Sequence, residues 1–210
     1  MDKDARTGPG GNLDWEAWLG PHPYMEYKPE YYFRWRKYKA FSGGIITDLL
    51  PHKLHCLAFV VGADRLPEHV TCVGGIYVHN DRTVGDTVMV TVDYGDYVMT
   101  LSGSTCNARG PQDMIRGHEA TLYVAGNTVR ITPERPFAEE KDPIEEKCDS
   151  AQMGDHKIHV KEFLDSMRSR TQPTWDAVSA FNVMAVIAMA ETAYHEKRTV
   201  HCHGAGKKLT

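Results

Sequence analysis

Between Glu68 and Thr132 the chain is a series of short strand-like runs whose connections are too short to hold a crossover helix. Asp86 to Tyr94 alternates, with Val88, Val90 and Val92 toward one face and Thr87, Met89 and Thr91 toward the other. Gly95-Asp96 turns the chain into Tyr97 to Cys106, which predicts a hairpin. Ala120 to Val124 and Thr128 to Ile131 flank Ala125-Gly126-Asn127, a second hairpin signal. His69 to Val78 is a further candidate strand, in which Gly74-Gly75 predicts a bulge or a close approach of the neighbouring backbone. Parallel strands need connections of a dozen residues or more, so the spacing predicts a largely antiparallel, open sheet.

Helical segments lie on both sides of the strands. Ser42 or Gly43 opens a helix that runs to about Val61 and stops at Gly62, with Ile46, Leu49, Leu50, Leu54, Leu57 and Val61 as one apolar stripe. Pro51 falls inside this run and predicts a kink, or a regular helix confined to the residues after it. Near the end, His156 to Ser169 is expected to bury Val160, Phe163, Leu164 and Met167. Trp175 to Lys197 is expected to bury Ala177, Phe181, Met184 and Ala188, with Thr174 as N-cap. Arg198-Thr199-Val200 suits an edge strand. Residues 133 to 153, rich in Pro and Glu, read as a surface excursion. The expected fold class is α+β, an antiparallel sheet with helices packed on one face. The expected divisions are an N-terminal arm over 1–42, an α+β domain over 43–203 and a tail over 204–210. In the arm, Asp14 to Leu19 suits one or two helical turns stopped by Gly20-Pro21, whereas Tyr31 to Tyr38 reads as extended.

Composition narrows the classes of function. A net charge of −4 and a pI near 6.2 argue against a nucleic-acid footprint. No uninterrupted apolar run approaches the ~18 residues of a membrane span, so no membrane partner is expected. Met1 to Gly11 lacks the apolar stretch of a secretory signal. A cytoplasmic location is expected, or a periplasmic one if an export signal lies upstream. The five cysteines are scattered without a C-x-x-C pair, which predicts reduced, mostly buried thiols.

Asp48 and His52 are four apart and share a helix face, and His55 is three further on. A carboxylate beside an imidazole is a unit for proton transfer, because the carboxylate fixes the tautomer and supports the charged form. At this spacing the same pair also serves as an ordinary surface interaction. Asp48, His52 and His55 together suit a transition metal, although no fourth ligand is evident. His201-Cys202-His203 looks like a metal clip but reads better as a frayed terminus. Ahead of the helix, Trp35-Arg36-Lys37 offers an aromatic platform and cationic donors to a polyhydroxylated ligand, or else packs through Trp35 and solvates its charges. No G-x-G-x-x-G follows a strand, and no P-loop, G-x-S-x-G or H-E-x-x-H occurs.

Ser42-Gly43-Gly44-Ile45-Ile46-Thr47-Asp48-Leu49-Leu50-Pro51-His52 resembles the G-G-x-x-x-D-x-x-x-H signature of the Gfo/Idh/MocA oxidoreductases. Asn12 to Pro21 looks like the opening segment of bacterial members of that family, and Tyr32 to Tyr38 like the arm before their signature helix. Phe163 to Ser169 and Glu196 to Val200 are similar in style to their closing helices. The resemblance implies an N-terminal Rossmann domain for NAD or NADP and a C-terminal α+β domain for the substrate, of which this chain is expected to be the second alone. It implies a sugar or polyol substrate and a homo-oligomer formed through the sheet. It implies that His52 accepts a hydroxyl proton as hydride leaves for the nicotinamide, and that Asp48 holds a substrate hydroxyl. Trp35, Arg36, Lys37 and His55 then contact the sugar. The family's Lys from an E-K-P motif is not matched, since Lys28-Pro29 follows Tyr27. Without its nucleotide-binding domain the chain is not expected to turn over. The competing expectations are a non-catalytic binding or oligomerisation module, and a metal-dependent enzyme built on Asp48, His52 and His55.

Overall fold

The computed structural model describes residues 11–62, 65–149 and 155–203. The elements in chain order are α1 (Trp15–Leu19), α2 (Pro29–Phe33), a 3-10 turn (Trp35–Lys37), α3 (Ile45–Asp48), α4 (Leu50–Val61), β1 (His69–Gly75), β2 (Thr87–Asp93), β3 (Val98–Ser104), β4 (Met114–Arg116), β5 (Ala120–Ala125), β6 (Thr128–Pro133), a second 3-10 turn (Arg135–Phe137), β7 (Ile144–Lys147), α5 (His156–Ser169), α6 (Ala177–Glu196) and β8 (Val200–His201). The fold is α+β. The strands form two antiparallel four-stranded sheets, ordered β3-β2-β1-β8 and β4-β5-β6-β7. The chain divides into two compact units, one of Met1–Ala108 with Val178–Thr210 and the other of Arg109–Ala177. Residues 1–10 of the expected arm and the expected tail over 204–210 lie outside the described residues.

The first unit is built on the valine alternation. Val70, Val92 and Met99 stand in one row across β1, β2 and β3; Cys72, Val90 and Leu101 stand in the next, and Gly74, Val88 and Gly103 in a third. Every side chain in these rows is buried, each contributing about 1.5–3 kcal/mol if it is an aliphatic of this size. Gly74 marks a close approach and not a bulge. Its register with Val88 is unbroken, and a Cβ there would stand 2.3 Å from the Thr87 carbonyl oxygen.

Gly103 does the same for the helices. A Cβ on it would lie 2.4 Å from Ile45 Cγ2 and 3.3 Å from Leu50 Cδ2, so α3 and α4 sit directly on the inner face of β3. Ile46, Leu50 and Leu54 of the expected stripe are buried, whereas Leu49 is exposed. The reason is the Pro51 break. The ring has no N–H to give and crowds the carbonyl four residues back, so the helix restarts at Leu50 with Pro51 in its first turn, where a donor is not needed. Leu49 joins the two helices in the right-handed region and faces outward. Gly62 ends α4 in the left-handed region, its N–H returning to the Ala58 carbonyl.

The arm is more folded than its composition suggests. Asp14 caps α1 by accepting the Ala17 N–H, and Gly20 ends it. The stretch expected to be extended forms α2 and a 3-10 turn, because ring packing outweighs the weak local propensity. Trp15 stacks on Trp18 at 4.8 Å and donates its indole N–H to the Met25 carbonyl at 2.7 Å. Trp18 meets Phe41 edge-on at 5.1 Å, and Tyr31 meets Tyr38 at 4.8 Å.

Helix α6 presents the opposite face to the one expected. Val183, Val186, Ile187, Ala190 and Ala193 are buried, while Phe181 and Met184 are exposed. The segment is apolar nearly all round, so periodicity alone leaves its orientation open. By length and composition it also suits a membrane span. It starts at Ala177 rather than after a Thr174 cap; the Thr174 N–H goes to Glu162 instead.

In the second unit β4 to β7 form consecutive antiparallel pairs. Part of the expected surface excursion is therefore strand: Ile144 to Lys147 pairs with β6. On α5 the residues expected to be buried, Val160, Phe163, Leu164 and Met167, are exposed. A shallow groove runs along that helix between Lys157, Val160, Lys161, Leu164 and Arg168. The cysteines also depart from expectation, since Cys56 and Cys148 are exposed and only Cys72 is buried.

Candidate functional site

The site begins with two glycines. Gly43 has no room for a side chain, because a Cβ would stand 2.5 Å from Thr47 Cγ2 and 2.8 Å from Glu191 Oε1 of α6. Its N–H donates to Thr47 Oγ1 at 3.0 Å, which turns the chain into α3. Gly44 lies at φ 64° and ψ −135°, a region open in practice to glycine alone, with Val84 packed where a Cβ would be. This tight approach delivers Asp48 at the end of α3 and His52 one turn later in α4.

Asp48 is joined to Arg36. The Arg36 Nε–H donates to Asp48 Oδ2 at 3.0 Å, and the guanidinium lies over the Trp35 ring, 4.3 Å from its centre. The Asp48 carboxylate is thus bonded to the guanidinium and not to the His52 imidazole. His52 is exposed and His55 half-buried. Burial lowers the pKa of His55 below its usual 6.5, and the charge of neighbouring His52 lowers it further. These side chains come from two short segments, 35–37 and 48–55, that ten residues of sequence separate.

Lys37 is spent elsewhere. Its ammonium pairs with Asp81, its carbonyl accepts the Thr83 N–H at 2.8 Å, and Thr83 Oγ1 accepts the Lys39 N–H at 2.8 Å. The segment bearing Trp35 and Arg36 is therefore tied to the loop between β1 and β2. That loop has its own anchor. Asp86, fully buried, accepts the N–H groups of Tyr77, Val78 and His79 at 2.8 to 3.1 Å. Burial alone would raise its pKa, but donors from His79, Val78 and Tyr77 outweigh it and hold the carboxyl well below the usual carboxylate range. Asp81, Thr83 and Asp86 escape a reading of the sequence. Nothing in the spacing announces a carboxylate that folds a loop around itself.

Among the described residues no group of three His, Cys, Asp or Glu side chains is placed to hold a metal ion. His201 lies in β8, paired with His69 of β1, and their rings are 5.5 Å apart.

The family model for the oxidoreductase C-terminal alpha/beta domain, GFO_IDH_MocA_C2, matches residues 6–210. No curated protein matches the chain. Among solved structures the fold is similar to that of yvaA from Bacillus subtilis, with a TM-score of 0.63 at 21% identity, covering 81% of this chain and 53% of that one. It is similar to an oxidoreductase from Agrobacterium radiobacter in complex with NAD+, L-tartaric acid and magnesium, with a TM-score of 0.58 at 16% identity, covering 75% and 49%. The UDP-N-acetylglucosamine 3-dehydrogenase of Acidithiobacillus ferrooxidans matches with a TM-score of 0.56 at 22% identity, covering 72% and 47%. The chain spans about half the length of each of these structures. With nearly every residue inside the domain's family model, the chain belongs to the Gfo/Idh/MocA oxidoreductases.

Proposed function

We propose that this chain supplies the substrate-binding and proton-handling side of an NAD(P)-dependent oxidoreductase that acts on a sugar or polyol. The observation that carries this reading is the Trp35–Arg36–Asp48 arrangement at the end of α3, with His52 following on α4 of the same glycine-led segment. Trp35 offers a face for a sugar ring, and Asp48, steadied by Arg36, accepts a hydrogen bond from a substrate hydroxyl. His52, exposed one turn on, accepts the proton of a neighbouring hydroxyl through a ring nitrogen. His55, whose neutral form is favoured, lies beside it as a second hydrogen-bonding ring. Lys37, being paired with Asp81, shapes the loop and does not touch the sugar.

A nicotinamide dinucleotide does not fit these residues. Every strand pairing among the described residues is antiparallel, so they form no βαβ unit to receive a pyrophosphate. We further propose a homo-oligomer formed through the outer face of the first sheet, where Val73, Met89 and Val98 are exposed and Val73 and Met89 are register partners.

Ligand-observed NMR with a panel of neutral and acidic sugars and polyols tests the first reading. At least one should bind, and Asp48→Asn should weaken it roughly tenfold, the loss of one charge-assisted hydrogen bond. A panel without a binder, or affinity unmoved by Asp48→Asn, would overturn it.

A further inference from the structure

Arg36 is held on two sides and open on the third. Its Nε edge is bonded to Asp48 at 3.0 Å, and one face of the guanidinium lies over Trp35 at 4.3 Å. Among the described residues its terminal Nη1 and Nη2 groups have no partner, and its side chain keeps 58% of its exposure. An arginine fixed in this manner has already lost much of its rotamer freedom, so a ligand that meets the open edge pays little further ordering cost. Two parallel N–H donors on that edge match two oxygens of a planar or tetrahedral oxyanion better than a hydroxyl pair. The neighbouring Lys37 is already paired with Asp81.

We propose that the substrate is an anionic polyol, a sugar bearing a carboxylate or phosphate, and that Arg36 grips the oxyanion end-on with Nη1 and Nη2. This rests on the sugar or polyol reading above and narrows its substrate class. Asp48 offsets much of the positive charge of Arg36, so the preference comes from the paired donors rather than from net charge. Two consequences follow: added salt reduces the preference only in part, and lysine cannot replace arginine although it keeps the charge.

The test is titration of the full chain with D-gluconate, D-glucose 6-phosphate and neutral D-glucitol by calorimetry or ligand-observed NMR, repeated with Arg36→Lys. The two anions distinguish carboxylate from phosphate. At least one should bind roughly tenfold more tightly than D-glucitol to the parent chain, and the ratio should fall toward one in Arg36→Lys. A far-ultraviolet melt of the variant confirms that it is folded, and a Lys variant that does not fold is replaced by Arg36→Gln, read in the same way. D-glucitol binding as well as both anions, or an anion preference that survives loss of Arg36, overturns the inference and leaves the polyol reading standing. Failure of all three ligands to bind overturns both.

Discussion

Gly44 shows how much a single residue controls here. Its φ of 64° with ψ of −135° suits glycine, and Val84 occupies the space of a side chain. Alanine would add backbone strain of about 1–3 kcal/mol and push against Val84. Gly44→Ala is therefore expected to lower stability by at least that amount in urea unfolding, and to displace Asp48 from Arg36. A variant as stable as the parent would contradict the strain argument. The same scale explains what the Asp48–His52 spacing leaves out. Four residues apart on one continuous helix would put the two on the same face, but α3 ends at Asp48 and α4 begins at Leu50. Nor can the spacing reveal that a guanidinium from residue 36 reaches the carboxylate first.

At the scale of elements, α6 is the instructive case. Its buried face runs through Val183, Val186, Ile187 and Ala190, on the opposite side of the helix from the Phe181–Met184 face expected from its largest apolar residues. Ile187→Ala should cost about 2–5 kcal/mol through the cavity it leaves, whereas Phe181→Ala should change stability by less than about 1 kcal/mol, as surface substitutions do. Equal costs in thermal or chemical unfolding would show that both faces are covered in solution. Helix α4 posed the reverse problem. There Pro51 and Gly62 announced both ends, and only the outward turn of Leu49 at the break was hidden. The hairpins were legible almost throughout, since Val88, Val90 and Val92 can alternate only one way against a core. Strands β4 and β7 were not, because Met114 to Arg116 and Ile144 to Lys147 are short, largely exposed and lack alternation.

For the whole molecule, two groups tie stability to pH. His55 has a folded pKa below 6.5, and Asp86 one well below 3.8. In both cases the unfolded chain binds more protons than the folded one once pH falls below those values, so stability rises with pH and is lost on acidification. Unfolding midpoints should fall between pH 8 and pH 5.5 through His55, and again below about pH 4 through Asp86. Replacing His55 with Gln should flatten the first decline; an unchanged slope would remove His55 as its source. Assembly also belongs to this scale. If the outer face of the first sheet joins copies of the chain, Met89→Lys should shift the mass measured by light scattering toward the monomer, and a parent chain that is already monomeric would refute that proposal.

By itself the sequence determined the α+β class, the antiparallel pairing, the extent of α5, the stop of α4 at Gly62 and the glycine-led segment that carries Asp48 and His52. These follow from local physics: side-chain alternation, turn geometry, proline's missing donor and glycine's freedom. Only the tertiary structure decided that the strands part into two sheets, that α6 buries its smaller residues, and that Asp48 belongs to Arg36 while Lys37 belongs to Asp81. Those outcomes depend on which distant segments meet. Such meetings are set by packing and charge in three dimensions, which spacing along one chain does not encode.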